Sequence, residues 1–445
     1  MSRPPSSPWT TMSTVKRTTS KPDALSSARI ASDLRLIRVL SVSTWLLSAL
    51  LVHLASYLPL FDSSPQVVLG EDISRTVSPL LRWDAFHFGH IAKHGYVYEY
   101  EWAFFAGTPL VMRKTAQLCH LLGLFNSEDA LTWPNILFSG ASIACLCGTA
   151  STLYELTLEL TASPSFALLS SLLSLLPSSP ATLRLAPYTE PFFTYLSYKG
   201  MLSCARARWT LAAIFFTLAG VFRSNGFMLS GFLLWGMVID PILSHRNLQI
   251  MRITHSAALT ALTFVPFLSH QLAAYLTFCR DNTSPAAWCS KSPPFVYSYV
   301  QSKYWNVGFL RYWTLSQLPN FLLSMPVIVL LLWASSHHIR HILIPHLHTI
   351  FYPSTLGSRP MIQSSPFLTT RLIPHAVHAF IFTNILLFAS HTQIILRLAA
   401  SMPFTYWAAA YLVMEYPKAG RAWVTWSVVW GAVSLVLWTT FLPPA

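Results

Sequence analysis

The chain has 445 residues, of which 53% are hydrophobic and 10% charged, with 29 Lys and Arg against 16 Asp and Glu. A soluble domain carries roughly 25% charged residues, so this sequence cannot cover a water-facing exterior and reads as an all-α polytopic membrane protein. The formal charge of +13 does not point to nucleic acid, because the basic residues cap apolar runs or sit in the N-terminal stretch (Lys16, Arg17, Lys21, Arg29, Arg35, Arg38) and build no groove; that is the pattern of topology-setting charges.

Residues 1–35 begin with a stretch rich in Ser, Thr and Pro and are expected to form a disordered cytosolic tail, leaving 36–445 as one polytopic membrane domain. The first span is expected over about 36–60, too long and too far from the terminus for a signal peptide. Further apolar runs follow at about 102–124, 134–160, 164–181, 185–203, 208–222, 226–243, 254–278, 313–336, 373–396, 402–416 and 423–441. A spanning helix takes roughly 20 residues, and several runs are shorter, so about nine to twelve spans are expected, some of them re-entrant or broken.

Three hydrophilic connections interrupt these runs, at 61–101, 279–312 and 337–372. The third carries Arg340, Arg359 and Arg371 and no acid, which assigns it to the cytosolic side. The first follows one span from a cytosolic terminus and is expected in the lumen. The second is expected beside it, since it holds the glycosylation acceptor pattern Asn282-Thr283-Ser284, weakened by Pro285. Cys279 and Cys289 lie in that second connection, where they form either a disulfide closing a short loop or two free thiols; spacing does not decide between these. Cys119, Cys145, Cys147 and Cys204 lie in or beside apolar runs and read as small hydrophobes.

The first connection concentrates Asp84, His87, His90, His94, Glu99 and Glu101. Ser78 as N-cap, Pro79 at the first helical position and Gly95 as the stop predict a helix over 78–95. Leu81, Ala85, Phe88 and Ala92 give it an apolar stripe, with Arg82, Gly89 and Lys93 opposite. It is too short and too charged to span, so it is expected in the interface plane, with Trp83 as an anchor. Asp84 and His87 are neighbours on its flank. An acid held against a membrane is a functional candidate; the plainer reading is a solvated surface aspartate. The three histidines do not share one face, which argues against a metal site. No HExxH, CxxC, phosphate loop or internal repeat is present.

RWDAFHFGHIAKHGYVYEYEWAFFAGTP (Arg82 to Pro109) resembles the hallmark of the GPI mannosyltransferase II, or PIG-V, family. The resemblance continues in PYTEPFF (Pro187 to Phe193), GVFRSNG (Gly220 to Gly226), YWNVGFLRYWTLSQLPNF (Tyr304 to Phe321) and RLAASMPFTYWAAA (Arg397 to Ala410), in the family's order. Ala106 stands where many members have proline, and Phe86 where some have an acid. The resemblance implies a GT-C-like bundle: a multi-pass enzyme of the endoplasmic reticulum membrane with a catalytic acid in its first luminal loop. It implies dolichol-phosphate-mannose as donor, a GPI precursor glycolipid as acceptor and an α1,6 linkage formed with inversion. Some fungal members work with a small membrane partner subunit, so one is a possible partner here.

A single inverting displacement needs one general base. Asp84 matches the family's Trp-Asp position and is the expected base, with His87 orienting it or binding a sugar hydroxyl. Trp83, Asn225, Trp305 and Asn306 fall in the matching blocks and are further substrate-binding candidates. Glu99 matches a family position and Glu101 does so less securely; either holds acceptor hydroxyls or is plain loop surface. Arg223 and Arg311 are candidates for the departing lipid phosphate, since a guanidinium donates in pairs; Arg223 also reads as a helix-end charge. Glu190 either binds acceptor glucosamine or pairs with an arginine. No obligatory cofactor is expected, because the donor carries a monophosphate. The rival class is a lipid flippase or secondary transporter, in which repeat symmetry and midplane binding groups are common.

Overall fold

The computed structural model describes residues 22–443 apart from 71–74, 126, 246, 248, 281–284 and 352–364. The first 21 residues of the expected tail, the acceptor pattern at Asn282 and Arg359 lie outside the described residues. Among the described residues the fold is helical, with no strand. The chain runs through α1 (Pro22–Ala55), α2 (Ser64–Leu69), α3 (Asp84–His94), α4 (Gly107–Leu121), α5 (Trp133–Cys145), α6 (Thr149–Thr161) and α7 (Pro164–Leu173). It continues through α8 (Glu190–Ala205), α9 (Trp209–Gly220), α10 (Ser230–Leu234), α11 (Asp240–Leu243), α12 (Ile250–Phe278) and α13 (Val296–Trp305). It ends with α14 (Leu318–His338), α15 (Ile344–Phe351), α16 (Ile373–Ala389), α17 (Ile395–Leu398), α18 (Pro403–Glu415) and α19 (Pro417–Thr439).

Seven helical stretches among the described residues are long and apolar enough to cross a membrane: 27–55, 133–161, 224–243, 250–278, 315–351, 370–389 and 417–439. The expected nine to twelve also counted short runs, and these are where the chain breaks. α7 and α9 are apolar but short, and α8 and α18 are packed inside the protein along most of their length. Protein neighbours rather than lipid surround most of α8 and the first part of α18, Pro403–Tyr411, which permits broken helices at membrane depth.

α1 begins at Pro22, inside the stretch expected to be disordered. Residues beyond the apolar run are helical because they have partners: Tyr154 donates to Asp33 Oδ2 at 2.8 Å and Arg29 to Ser165 Oγ at 3.0 Å. Ile37 is buried against the same neighbours.

The helix expected over 78–95 also starts later. Ser78–Leu80 form a separate 3-10 turn, and α3 begins at Asp84. The break is made by Arg82, expected on the polar side but only 1% exposed. Its guanidinium turns inward and donates to the carbonyls of Trp438, Thr439, Leu81 and Ser78. Burial lowers its pKa to about 10, which leaves it charged at neutral pH. The first two of those carbonyls end α19, where a cation satisfies groups that no helical N–H reaches. The chain reverses at Trp83, whose φ of 49° is uncommon for a bulky residue and whose ring stacks on Phe441. Gly95 ends α3 with φ 79°, as expected.

Leu81, just before α3, and the apolar stripe of α3 (Ala85, Phe88, Ala92) pack into a core with Met112, Ile136, Leu137, Tyr188 and Trp438. Gly89, expected opposite that stripe, is buried too: a Cβ there would lie 2.2 Å from the ring of Trp133, so only glycine lets α3 and α5 approach this closely. A second, larger core joins α6–α9 with α14 and α16–α18.

One end of the bundle collects the ends of α1, α12, α16 and α19 with the starts of α4, α8 and α14. Phe61 N–H bonds Thr440 O, Leu310 N–H bonds Phe388 O, and His270 Nε2 bonds Trp102 O. The 61–101 and 279–312 connections therefore cover the same end. Arg371, Arg206 and Glu159 meet at the other.

Candidate active site

Four ionisable side chains from distant parts of the sequence converge at that loop-covered end. Asp84 opens α3, Glu190 opens α8, Arg223 precedes the turn Ser224–Leu229, and Arg397 lies on α17. Arg397 Nη2 is 2.8 Å from Asp84 Oδ2 and 2.8 Å from Glu190 Oε1. Arg223 Nη1 is 2.8 Å from the same Glu190 oxygen and donates to Thr189 Oγ1 at 2.7 Å. Asn225 Oδ1 accepts from Arg223 Nε at 3.4 Å. Two acids thus face two arginines, so the cluster carries no net charge when all four are ionised, as burial requires.

The members differ in access. The Glu190 side chain is 1% exposed, Arg397 12%, Arg223 18% and Asp84 30%. Asp84 is the open edge of an otherwise enclosed group.

Tyr188 fixes that edge. Its buried hydroxyl accepts from Asp84 N–H at 3.0 Å and donates to Arg82 O at 2.8 Å. The Arg397 guanidinium lies over its ring, 5.0 Å from the centroid. One phenol therefore holds the first N–H of α3 and the carbonyl before the Trp83 reversal.

His87 sits one turn along α3, half-buried and stacked on Phe104 at 4.5 Å, with Tyr100 and Trp305 edge-on. Burial lowers its pKa, against an opposing pull from the Asp84 and Glu101 charges. It is neutral at pH 7 and can donate or accept a hydrogen bond.

The other expected site residues are placed elsewhere. Glu99 joins the two loops: Trp288 Nε1, Lys303 Nζ and Tyr304 hydroxyl donate to it at 3.1, 3.0 and 2.8 Å. Burial alone would raise its pKa, but these donors and the Lys303 charge bring it below the usual carboxylate value. Glu101, 1% exposed, accepts from Val97 and Tyr98 N–H and bonds His90 Nδ1 at 2.5 Å. Trp83 stacks on Phe441, and Asn306, with φ 51°, ends α13. Arg311 donates to Ser302 Oγ at 2.6 Å within its own loop. The sulfurs of Cys279 and Cys289 are bonded, tying that loop to the end of α12.

His87, His90 and His94 do not converge, and among the described residues no group of three His, Cys, Asp or Glu is arranged to hold a metal.

Arg397, which bridges the two acids, is not among the expected site residues. Its signal was present: it is the only ionisable residue between Arg371 and Glu415 besides histidine and tyrosine, and a charge among apolar runs is a functional candidate.

A family model described as Mannosyltransferase (PIG-V) matches residues 30–445. The chain belongs to the PIG-V mannosyltransferase family. It is similar to GPI mannosyltransferase 2 of Cryptococcus neoformans, 34% identical over 431 residues that cover 89% of this chain and 95% of that protein. It is 32% identical over 394 residues to GPI alpha-1,6-mannosyltransferase 2 of Rattus norvegicus, covering 79% and 78% of the two chains. A third relative, GPI mannosyltransferase 2 of Yarrowia lipolytica, is 31% identical over 405 residues, 90% of this chain and 96% of that one.

Proposed function

We propose that this protein transfers mannose from dolichol-phosphate-mannose to the mannosyl-glucosaminyl-phosphatidylinositol precursor, forming an α1,6 linkage at the luminal face of the endoplasmic reticulum membrane. The family and the relatives' names supply the reaction class. The observation that carries the mechanism is the open carboxylate of Asp84 at the edge of an enclosed, charge-balanced cluster.

In the inverting displacement the acceptor hydroxyl oxygen attacks the anomeric carbon of the donor and gives its proton to Asp84. The bond from that carbon to the phosphate oxygen breaks as the new glycosidic bond forms. The electron pair leaves with the lipid phosphate, which needs nearby cations. Arg397 and Arg223 stand beside Asp84 in the same cluster, with Glu190 holding both guanidiniums in place. These two, rather than Arg311, are the cations for the leaving phosphate. His87 borders the base and offers a neutral ring nitrogen to a sugar hydroxyl. A transporter would use binding groups near the bilayer midplane, whereas these charges gather at one end of the bundle.

Microsomal transfer from labelled dolichol-phosphate-mannose tests the reading. Wild type is expected to make the two-mannose intermediate and Asp84→Asn, at equal expression, to make almost none. Chelator is expected to leave the rate unchanged, because a monophosphate leaving group is served by the arginines. Cysteines placed at 62, 285 and 350 are expected to be protected, protected and accessible from the cytosol, respectively.

A further inference from the structure

Two tyrosines at the mouth of the site hold their rings in place without using their hydroxyls. Tyr98 and Tyr100 flank Glu99, and their rings stack 5.3 Å apart, within 8° of parallel. Tyr100 meets His87 edge-on at 5.5 Å and Tyr304, from the second loop, at 5.9 Å. Tyr98 stacks on His90 at 5.5 Å, and Glu101 bonds that histidine through Nδ1. The pair is thus fixed from both sides, starting at the histidine one turn along α3 from Asp84.

Neighbouring tyrosines turn their hydroxyls to the protein. Tyr96 donates to Phe104 O at 2.7 Å, Tyr304 to Glu99 Oε2 at 2.8 Å and Tyr188 to Arg82 O at 2.8 Å. Among the described residues the hydroxyls of Tyr98 and Tyr100 have no protein partner; Glu101 N–H goes to the carbonyl of Tyr98. Tyr98 is 48% exposed. Tyrosines of a membrane-interface belt sit at the headgroup level against lipid. These two are bracketed instead by the ion pair of Glu99 with Lys303 and by His90.

We infer that Tyr98 and Tyr100 bind hydroxyls of the acceptor's sugar units and so align the acceptor for attack beside Asp84. This rests on the reaction assigned above. Inversion puts the attacking oxygen and the leaving group on opposite faces of the donor sugar. The cations for the leaving phosphate are enclosed, Arg397 being 12% and Arg223 18% exposed. The acceptor therefore enters by the open side, where the tyrosines stand. A phenol hydroxyl both donates and accepts and carries no charge at neutral pH, which suits a polyhydroxy ring and not a phosphate.

The test is the double change Tyr98→Phe with Tyr100→Phe, which keeps both rings and their stacking and removes only the hydroxyls. Initial rates are measured against dolichyl-phosphate-mannose and two mannosyl-glucosaminyl-phosphatidylinositol acceptors, one with long acyl chains and one dioctanoyl. KM for both acceptors is expected to rise by the same factor, about tenfold for two lost hydrogen bonds, with kcat and the donor's KM within about twofold of wild type. An unchanged acceptor KM, the result for a structural or membrane-belt role, overturns the inference. A rise in the donor's KM alone or in both substrates equally also overturns it. So does a rise confined to the long-chain acceptor, which assigns the hydroxyls to the lipid. If wild type transfers no mannose between these substrates, the functional reading fails instead.

Discussion

One nitrogen, Nη2 of Arg397, lies 2.8 Å from both Asp84 Oδ2 and Glu190 Oε1. The open acid and the enclosed acid therefore share a cation, and neither can be changed without altering the other's surroundings.

Changing Asp84, the proposed base, is expected to stop the chemistry while sparing the fold. Asp84→Asn keeps the shape and loses the proton acceptor, so the transfer rate should fall by about 10²–10⁴-fold, the range for a positioned general base. Unchanged thermal stability of the purified variant in detergent would separate this from misfolding.

Arg397 is expected to act on both donor binding and turnover. Arg397→Gln should raise the donor's KM and lower kcat together, and Arg397→Lys should recover part of both, since a lysine keeps the charge but not the paired donors. In a double-mutant cycle Asp84→Asn with Arg397→Gln should cost much less than the sum of the two, because the residues are in contact.

Glu190 is expected to matter for stability first. It is 1% exposed and faces two guanidiniums, so Glu190→Gln leaves buried cations short of a partner. A loss of about 3–5 kcal/mol is expected, read as a lowered unfolding temperature in detergent and partly restored by the double change Glu190→Gln with Arg223→Gln.

His87 gives a pH dependence with a definite sign. Burial holds its folded pKa below the unfolded value, about 6.5. From that pH downward the unfolded chain takes up a proton that the folded chain refuses, so stability falls with acidity until the lower folded value is passed. His87→Gln should flatten this part of the stability profile, measured by unfolding between about pH 7 and 5.

The Cys279–Cys289 bond closes a loop ten residues long. Cys279→Ser with Cys289→Ser is expected to destabilise that loop by about 2–3 kcal/mol. Since Glu99 joins it to the Asp84 loop through Trp288 and Lys303, the transfer rate should fall as well. Thiol counting in denaturant, with and without reductant, should differ by two in the wild type.

What could be read from the sequence was local. Glu190 and Arg223 stand out because charge is scarce around them, Asp84 because it lies in the one run where acids and histidines gather, and Gly95 ends its helix as a glycine stop should. The start of α3 was misread because Ser78-Pro79 is a sound capping signal that a distant interaction overrides: Arg82 turns inward to carbonyls at the far end of the chain. Glu99 and Glu101 look alike in sequence, yet one bridges two loops and the other caps the backbone of its own turn. Arg397 gave no local sign of its partners. The acids it bridges are some two and three hundred positions away, and no periodicity encodes such a pairing.

The hold of Arg82 on the carbonyls of Trp438 and Thr439 sets an order on biogenesis. Asp84 leaves the ribosome early, but the turn that presents it is locked only when α19 has been threaded into the bilayer and folded back beside α3. A nascent chain therefore lacks the locked Trp83 turn until α19 is in place. Deleting α19 or inserting a bulky segment beside Thr439 should silence transfer from 357 positions away.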